Sequence, residues 1–431
     1  MKYHSIHNKK KLYTLAEAVK KNVASDGSVL IPQSIPVFTE AELKSLKGAC
    51  LQKVAELVLK KYFSDDLTDI QIKKVVKKAI NFPLPLSQIG HVKVYELFHG
   101  PTKSYKDLPS RIFAALTEVL FSDKAAKAIK VLVGSSDYSG SSIAHAFAQA
   151  ENAQTFCFYP SQMMSEVHSE LMNRLGGNAT CIEINASAEV CHKLIDTAFN
   201  DADLKKMDLL IANTVNIGSL IPHIIYFAYL YAISDKDIQI VMAPGKFGKA
   251  TAALMAIKMG IPLGKIVLAV DNDDPNAEHF MKTGSYIDRN HSFFDYFTNI
   301  KHISVAYDFP RVAYLCNNSS SEFSKHFIIT YIRGTRAAQM LSSVYGDYGY
   351  SMELRTAAAW VAQDTVERSQ KVTPIVIADG SPVLFSKEIA RVTNIMIDDG
   401  NFIASIKSHD QNNIYKLSAY AEVKSLLQSN A

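Results

Sequence analysis

The chain is poor in cysteine and carries a single tryptophan. Its five cysteines, Cys50, Cys157, Cys181, Cys191 and Cys316, include no C-x-x-C pair and are odd in number. That spacing argues against a disulfide framework or a zinc ribbon and for reduced thiols, and no residue is expected to bind a metal. An excess of one charge is also missing: 46 Lys and Arg stand against 42 Asp and Glu, a net charge of +4 spread along the chain. Such a balance excludes the basic footprint of a nucleic-acid-binding protein, and the short run Lys9-Lys10-Lys11 reads as a solvated entry to the first helix. No apolar run reaches membrane length. The longest, residues 220–233, is interrupted by Pro222 and His223 and predicts a buried helix. Residues 1–20 lack the apolar core of a secretory signal. These absences predict a soluble, cytoplasmic protein with neither a nucleic-acid nor a membrane partner. What the chain does have is 48% hydrophobic residues over 431 positions, enough for a large core divided over two or three domains.

Residues 12–90 alternate helical patterns with turns. Helices are expected over 12–23, around 40–63 and over 69–80, with an extended piece at Val29-Leu30-Ile31-Pro32. Pro83 and Pro85 then break the pattern and mark a domain boundary. Beyond residue 91 the rhythm becomes strand–helix alternation. Strands are predicted at 130–134, 155–159, 180–184, 209–212, 239–243, 265–270 and 374–378, several of them continuous apolar runs of the kind buried on both faces of a parallel sheet. The inference is an α/β architecture of parallel sheets flanked by helices, behind a mostly helical N-terminal domain. The expected division is 1–90 for that domain, 91–130 with 206–431 for a large domain, and 131–205 for a smaller α/β domain. Residues 272–330 are less regular and read as an elaborated connection.

The most informative stretch is Phe98-His99-Gly100-Pro101-Thr102-Lys103-Ser104-Tyr105-Lys106-Asp107. It lies between an alternating apolar run at 92–97 and a helical pattern placing Ile112, Ala115, Leu116, Val119 and Leu120 on one face. A lysine at the head of a helix, behind a Gly-Pro turn, sits where an amine would form a Schiff base with pyridoxal phosphate. A second constellation follows the strand at 239–243. Pro244-Gly245-Lys246-Phe247-Gly248-Lys249 leads into a helix expected from about Ala250 to Met259-Gly260. A glycine-containing strand-to-helix turn aims backbone N–H groups at the helix entrance and, with the helix dipole, makes an anion site. Lys246 and Lys249 add two cations to it.

The order F-H-G-P-T-x-x-(F/Y)-K-D resembles the cofactor-lysine motif of threonine synthases, and Gly245, Phe247 and Gly248 are similar to that family's phosphate-binding G-N-F-G-(N/D) loop. The resemblance runs along essentially the whole chain. Asp26-Gly27-Ser28-Val29-Leu30-Ile31-Pro32 resembles D-G-G-L-(Y/F)-V-P, and Asn213-Thr214-Val215-Asn216 resembles N-S-I-N. Thr283-Gly284-Ser285-Tyr286 matches T-G-x-Y, and Phe309-Pro310-Arg311 echoes N-F-E-R. The resemblance implies the pyridoxal-phosphate fold type II, similar to the tryptophan synthase β subunit. Lys106 would carry pyridoxal 5'-phosphate, and Gly245, Lys246, Phe247, Gly248 and Lys249 would hold its phosphate. Thr102, Ser136, Ser139, Gly140, Asn213 and Asn216 would hold the substrate.

The departures cluster near the chemistry. The family's S-G-D-T-G becomes Ser136-Asp137-Tyr138-Ser139-Gly140, and an expected Arg is Ser219. S-P-A-M-D-I becomes Thr298-Asn299-Ile300-Lys301-His302-Ile303. In S-T-A-H-P-A-K-F, the Thr that resembles the partner of the cofactor's pyridine nitrogen aligns with Asp379, where a carboxylate would favour a protonated ring. The resemblance implies conversion of O-phosphohomoserine and water to threonine and phosphate, with Lys103, Lys246 or Lys249 standing in for the missing Arg. Two alternatives stay open: a divergent pyridoxal-phosphate β/γ-elimination or replacement enzyme acting on another amino acid, and a catalytically silent binding protein of the same fold. Monomer and homodimer are equally compatible with the sequence.

Overall fold

The computed structural model describes residues 1–122, 128–135, 138–161, 166–235, 237–271, 275–285, 291–295, 300–304, 308–364, 372–398 and 400–429. Ser136 and Asp137 of the expected carboxylate loop, Tyr286, Thr298 and Asn299 lie outside them.

Near the start, helices Leu15–Lys21, Glu40–Leu46 and Asp69–Ala79 each begin at a Thr whose hydroxyl accepts from the backbone three residues on, while Glu17, Glu42 or Gln71 answers the Thr N–H. These reciprocal caps satisfy end groups that the helix leaves unpaired. The helix expected over 40–63 is two, Glu40–Leu46 and Leu51–Phe63. Gly48, at φ +71°, turns the chain between them, a conformation that a side chain would strain. The extended piece at 29–32 is a strand, Leu30–Pro32, antiparallel to Tyr3–Ser5.

Two sheets organise the rest. The larger has six strands in the order Phe327–Ile332, Ile266–Asp271, Asp237–Met242, Val372–Ala378, Val92–Glu96 and Leu86–Ile89. All neighbours are parallel except the terminal hairpin of Leu86–Ile89 with Val92–Glu96. The smaller, all-parallel sheet runs Ile414–Leu417, Ala179–Ile184, Ala153–Pro160, Ile129–Gly134 and Leu209–Ile211. Two of its strands, Leu209–Ile211 and Ile414–Leu417, come from outside residues 131–205, and Leu86–Ile89 carries the first 90 residues into the larger sheet. The apolar run at 220–233 is a buried helical stretch ending in helix Ile224–Ile233. Among the described residues no helix is long and apolar enough to cross a membrane.

The fold positions a site simply. Asp237–Met242, Val372–Ala378 and Val92–Glu96 are adjacent parallel strands, so the loops leaving their carboxyl ends share one edge of the sheet. Those loops contain Gly245–Lys249, Asp379 and Lys106. The crevice beyond the carboxyl ends of parallel strands is where open α/β sheets bind ligands.

Candidate active site

Lys106 is the N-cap of helix Asp107–Leu120 and is buried. Its loop is held from several sides. The Thr102 N–H donates to Asp107 Oδ2 (3.0 Å) and the Thr102 hydroxyl to Asp107 Oδ1 (2.7 Å). Gly100 permits this closure, because a Cβ there would lie 2.4 Å from the Asp107 side chain. The Tyr105 N–H donates to the Asp379 carbonyl (2.7 Å), the Ser381 N–H to the Lys103 carbonyl (3.0 Å), and the Tyr226 hydroxyl to the Tyr105 carbonyl. Burial pushes the Asp107 carboxyl up to about 6 against the lowering effect of its Thr102 and Ser104 donors.

The Lys106 ammonium nitrogen lies 3.2 Å from His223 Nε2 and 4.7 Å from the centre of the Tyr105 ring. The sequence pattern alone does not mark His223 as functional. The signal available was a lone ionisable residue inside an otherwise apolar run. Its Nδ1 is 2.7 Å from the Ser219 carbonyl four residues earlier on the same helical stretch. A carbonyl only accepts, so Nδ1 carries the proton and Nε2 presents its lone pair to Lys106. Burial, then the charges of Lys106 and Lys249, push the imidazole well below its ordinary value. Ser219, where a guanidinium was expected by resemblance, is fully buried.

The second loop is open where the first is closed. Gly245 has φ +54° and Phe247 φ +64°, and a Cβ on Gly245 would meet nothing within 4 Å. Helix Gly248–Lys258 starts directly after its N-cap Phe247, two residues earlier than expected, and no side chain among the described residues caps it. Its leading N–H groups and dipole therefore suit an anion. Asp308 lies close by: a Cβ on Gly248 would sit 3.0 Å from its Oδ2. The buried Arg311 guanidinium pairs with that carboxylate and also donates to the carbonyls of Leu30 (2.8 Å) and Val215 (2.6 Å). Lys246 points to solvent.

Lys249 turns inward. It is buried, forms an ion pair with both carboxylate oxygens of Asp379, and stands 4.8 Å from the centre of the same Tyr105 ring that Lys106 overlies. Burial lowers Lys249 and the Asp379 charge opposes that shift, while Asp379 in turn adds to the effect of burial in raising Glu353. Two residues expected in separate roles, one at the phosphate and one at the ring nitrogen, thus meet as one neutralised pair.

The remaining expected residues fall at different distances from this centre. The Thr102 hydroxyl also lies 2.7 Å from the Ser142 hydroxyl, tying the Lys106 loop to helix Tyr138–Ala148 of the smaller sheet. Gly140 belongs to that helix, and a Cβ there would lie 2.3 Å from Ser135, so glycine allows the helix to close on the strand end. Ser139 lies on the same helix. Asn213 accepts from the N–H groups of Val215 (3.2 Å) and Asn216 (3.0 Å). Asn216 is fully buried; it caps Gly218 (3.0 Å) and donates to the carbonyls of Val19 (2.9 Å) and Ile211 (3.3 Å). Both asparagines shape the loop with their amides.

The geometry suits a pyridoxal group. A buried amine with a fixed hydrogen-bond acceptor lies beside an uncapped helix entrance with room at Gly245, and Tyr105 joins the two. Residues 2–80 match a family profile described as the threonine synthase N terminus. Over 406 residues the chain is 27% identical to the threonine synthase of Buchnera aphidicola subsp. Baizongia pistaciae, covering 92% of each chain. It is 30% identical to that of Buchnera aphidicola subsp. Acyrthosiphon pisum over 294 residues, 66% of this chain and 68% of the relative. The solved pyridoxal-phosphate-bound threonine synthase of Brucella melitensis superposes with a TM-score of 0.89 at 19% identity, covering 100% of this chain and 99% of the other. The fold is therefore the expected α/β fold type II, and the chain belongs to the threonine synthase family.

Proposed function

We propose that this protein is a pyridoxal-phosphate-dependent lyase of the threonine synthase type, converting O-phosphohomoserine and water to threonine and phosphate. The observation that carries the reading is the convergence of Lys106 and Lys249, from two different loops, on the Tyr105 ring. It brings the candidate cofactor amine and the candidate phosphate loop into one site. The bound cofactor would supply an electron sink for a carbanion at the substrate's Cα. Lys106 Nζ is the amine that would hold it and, once released, the base that would move protons at Cα and Cβ. The N–H groups of Gly245–Lys249 would hold its phosphate. Asp379, if it faces the cofactor ring, would meet it with its charge already balanced by Lys249, and so would have less charge to give a ring nitrogen than an unpaired carboxylate. Burial of Lys106 and His223 keeps water from the amine.

By the family resemblance the 136–140 loop would hold the substrate carboxylate, and the Thr102–Ser142 contact ties helix Tyr138–Ala148 to the Lys106 loop. The family resemblance supports a cytoplasmic location. Borohydride reduction of the cofactor-loaded protein followed by peptide mapping tests the assignment. Label on Lys106, lost in Lys106→Ala, together with phosphate release from O-phosphohomoserine, is the expected result. Label on another lysine overturns the site. Label on Lys106 without phosphate release overturns the substrate.

A further inference from the structure

We propose that His223 is a positioning residue for Lys106: its imidazole, locked in the Nδ1–H tautomer by the Ser219 carbonyl, offers the Nε2 lone pair as the fixed acceptor that orients the lysine amine. This rests on the reading that Lys106 is the amine that bonds the cofactor. Three observations carry it. The distances are those of a relay, 2.7 Å from Nδ1 to the Ser219 oxygen and 3.2 Å from Nε2 to Lys106 Nζ. The ring cannot easily turn over, because Tyr105 and Tyr226 meet it edge to face with centroids 5.9 and 6.1 Å away, and the Tyr226 hydroxyl is bonded to the Tyr105 carbonyl. The charges also favour a neutral ring. Lys106 from the motif loop and Lys249 from the glycine-loop helix are the cations acting on it. The nearby carboxylates are otherwise engaged, Asp379 with Lys249, Asp107 with Thr102 and Asp308 with Arg311. A second unbalanced positive charge beside Lys106 in this buried site is unfavourable, so the imidazole stays an acceptor.

A fixed acceptor narrows the directions from which the amine can approach a carbonyl, and orientation of this kind accelerates bond formation. A histidine whose role were only to fill the core would make no difference to the amine that another apolar side chain could not make.

Two measurements decide it. The first needs no cofactor: nitrogen-15 NMR of histidine-labelled protein, with the His223 signals assigned by their loss in His223→Gln. The expected result is a neutral Nδ1–H tautomer at pH 7, and an imidazolium or an Nε2–H tautomer overturns the proposal. The second is the rate of borohydride-trapped labelling of Lys106 by pyridoxal phosphate, followed by peptide mapping at a pH where the rate no longer rises. His223→Leu should slow that plateau by about tenfold, the size expected for one hydrogen bond to a charged or strongly polar group. His223→Gln, whose amide oxygen can accept but cannot take a proton, should restore most of it. Parental labelling in the folded Leu variant, or a Gln variant no faster than Leu, overturns the proposal. Failure of the underlying reading looks different: the parent would then carry no label on Lys106, whatever the tautomer of His223.

Discussion

Two strand-to-helix junctions flank the central strand Val372–Ala378 of the large sheet, and they are built on opposite plans. The junction from Val92–Glu96 to Asp107–Leu120 is closed. Its polar groups satisfy one another, with Thr102 bonded to Asp107, and Gly100 is small so that the loop can lie against that carboxylate. The junction from Asp237–Met242 to Gly248–Lys258 is open, with space around Gly245 and no side-chain cap among the described residues. A closed junction fixes one side chain, here Lys106. An open one leaves backbone donors for a ligand. The same kind of connection, repeated on either side of one strand, thus divides covalent attachment from anion binding, and glycine serves each for a different reason.

The Lys249–Asp379 pair joins the open junction to the central strand, and breaking it is the largest change expected. Removing one partner strands a buried charge, at a cost of about 3–5 kcal/mol. Asp379→Ala and Lys249→Met should each show a loss of that order in urea unfolding, whereas Lys249→Met/Asp379→Leu should regain most of it. A double variant as unstable as the singles would mean that the two residues act separately.

Asp107 sharpens the picture of the closed junction through its pH dependence. Its carboxyl is pushed up to about 6 by burial, so the folded state binds the proton more tightly than the unfolded chain. The stability it contributes is complete below the unfolded value, near 4, and is lost as pH rises through about 6, a change of roughly 3 kcal/mol. Asp107→Asn keeps the side chain neutral and should flatten this part of the profile in denaturant titrations at pH 4 to 7. A parent and variant with parallel profiles would rule out a perturbed carboxyl.

How much of this was readable beforehand follows from where the information lies. The motif around Lys106 and the glycines of the second loop are local, and their neighbours in the sequence are their neighbours in the site. The parallel strands were legible because burial on both faces makes them continuous apolar runs. Phe327–Ile332 escaped, being an edge strand with Ile328 and Tyr331 partly exposed, set inside a stretch of mixed composition. The Lys249–Asp379 pair spans 130 positions and leaves no pattern in the sequence. Taken singly, Lys249 suggests a phosphate cation and Asp379 a ring partner. His223 was visible only as an interruption of an apolar helix, because its meaning depends on Lys106 more than a hundred residues away.

The two glycines separate the junctions directly. Gly100→Ala drives a Cβ into the Asp107 side chain, and overpacking of that kind costs about 1–3 kcal/mol. Gly245→Ala meets no atom and pays only for its left-handed backbone, about 1–2 kcal/mol. Cofactor retention should rank the other way per unit of stability lost, since only the second substitution disturbs the anion cradle itself. Thermal melts paired with equilibrium dialysis of pyridoxal phosphate check both. Equal losses of stability and affinity at the two glycines would erase the distinction between a closed and an open junction.

The smallest effect is expected at Lys246, and its smallness is the point. Its side chain is exposed, while its carbonyl accepts from the Asp308 N–H at 3.2 Å, so the backbone of this residue carries more of the structure than its solvent-screened charge. Lys246→Ala should leave stability within about 0.5 kcal/mol of the parent. An exposed ammonium at contact with an anion contributes about 1 kcal/mol in water, which limits the loss of phosphate affinity to roughly fivefold. Salt screens such a charge but scarcely affects N–H groups inside a loop. Parent and variant should therefore converge in dialysis as ionic strength rises toward 1 M. A hundredfold loss, or one that persists in high salt, would mean that a side chain and not the helix entrance holds the phosphate, and the open junction would need another purpose.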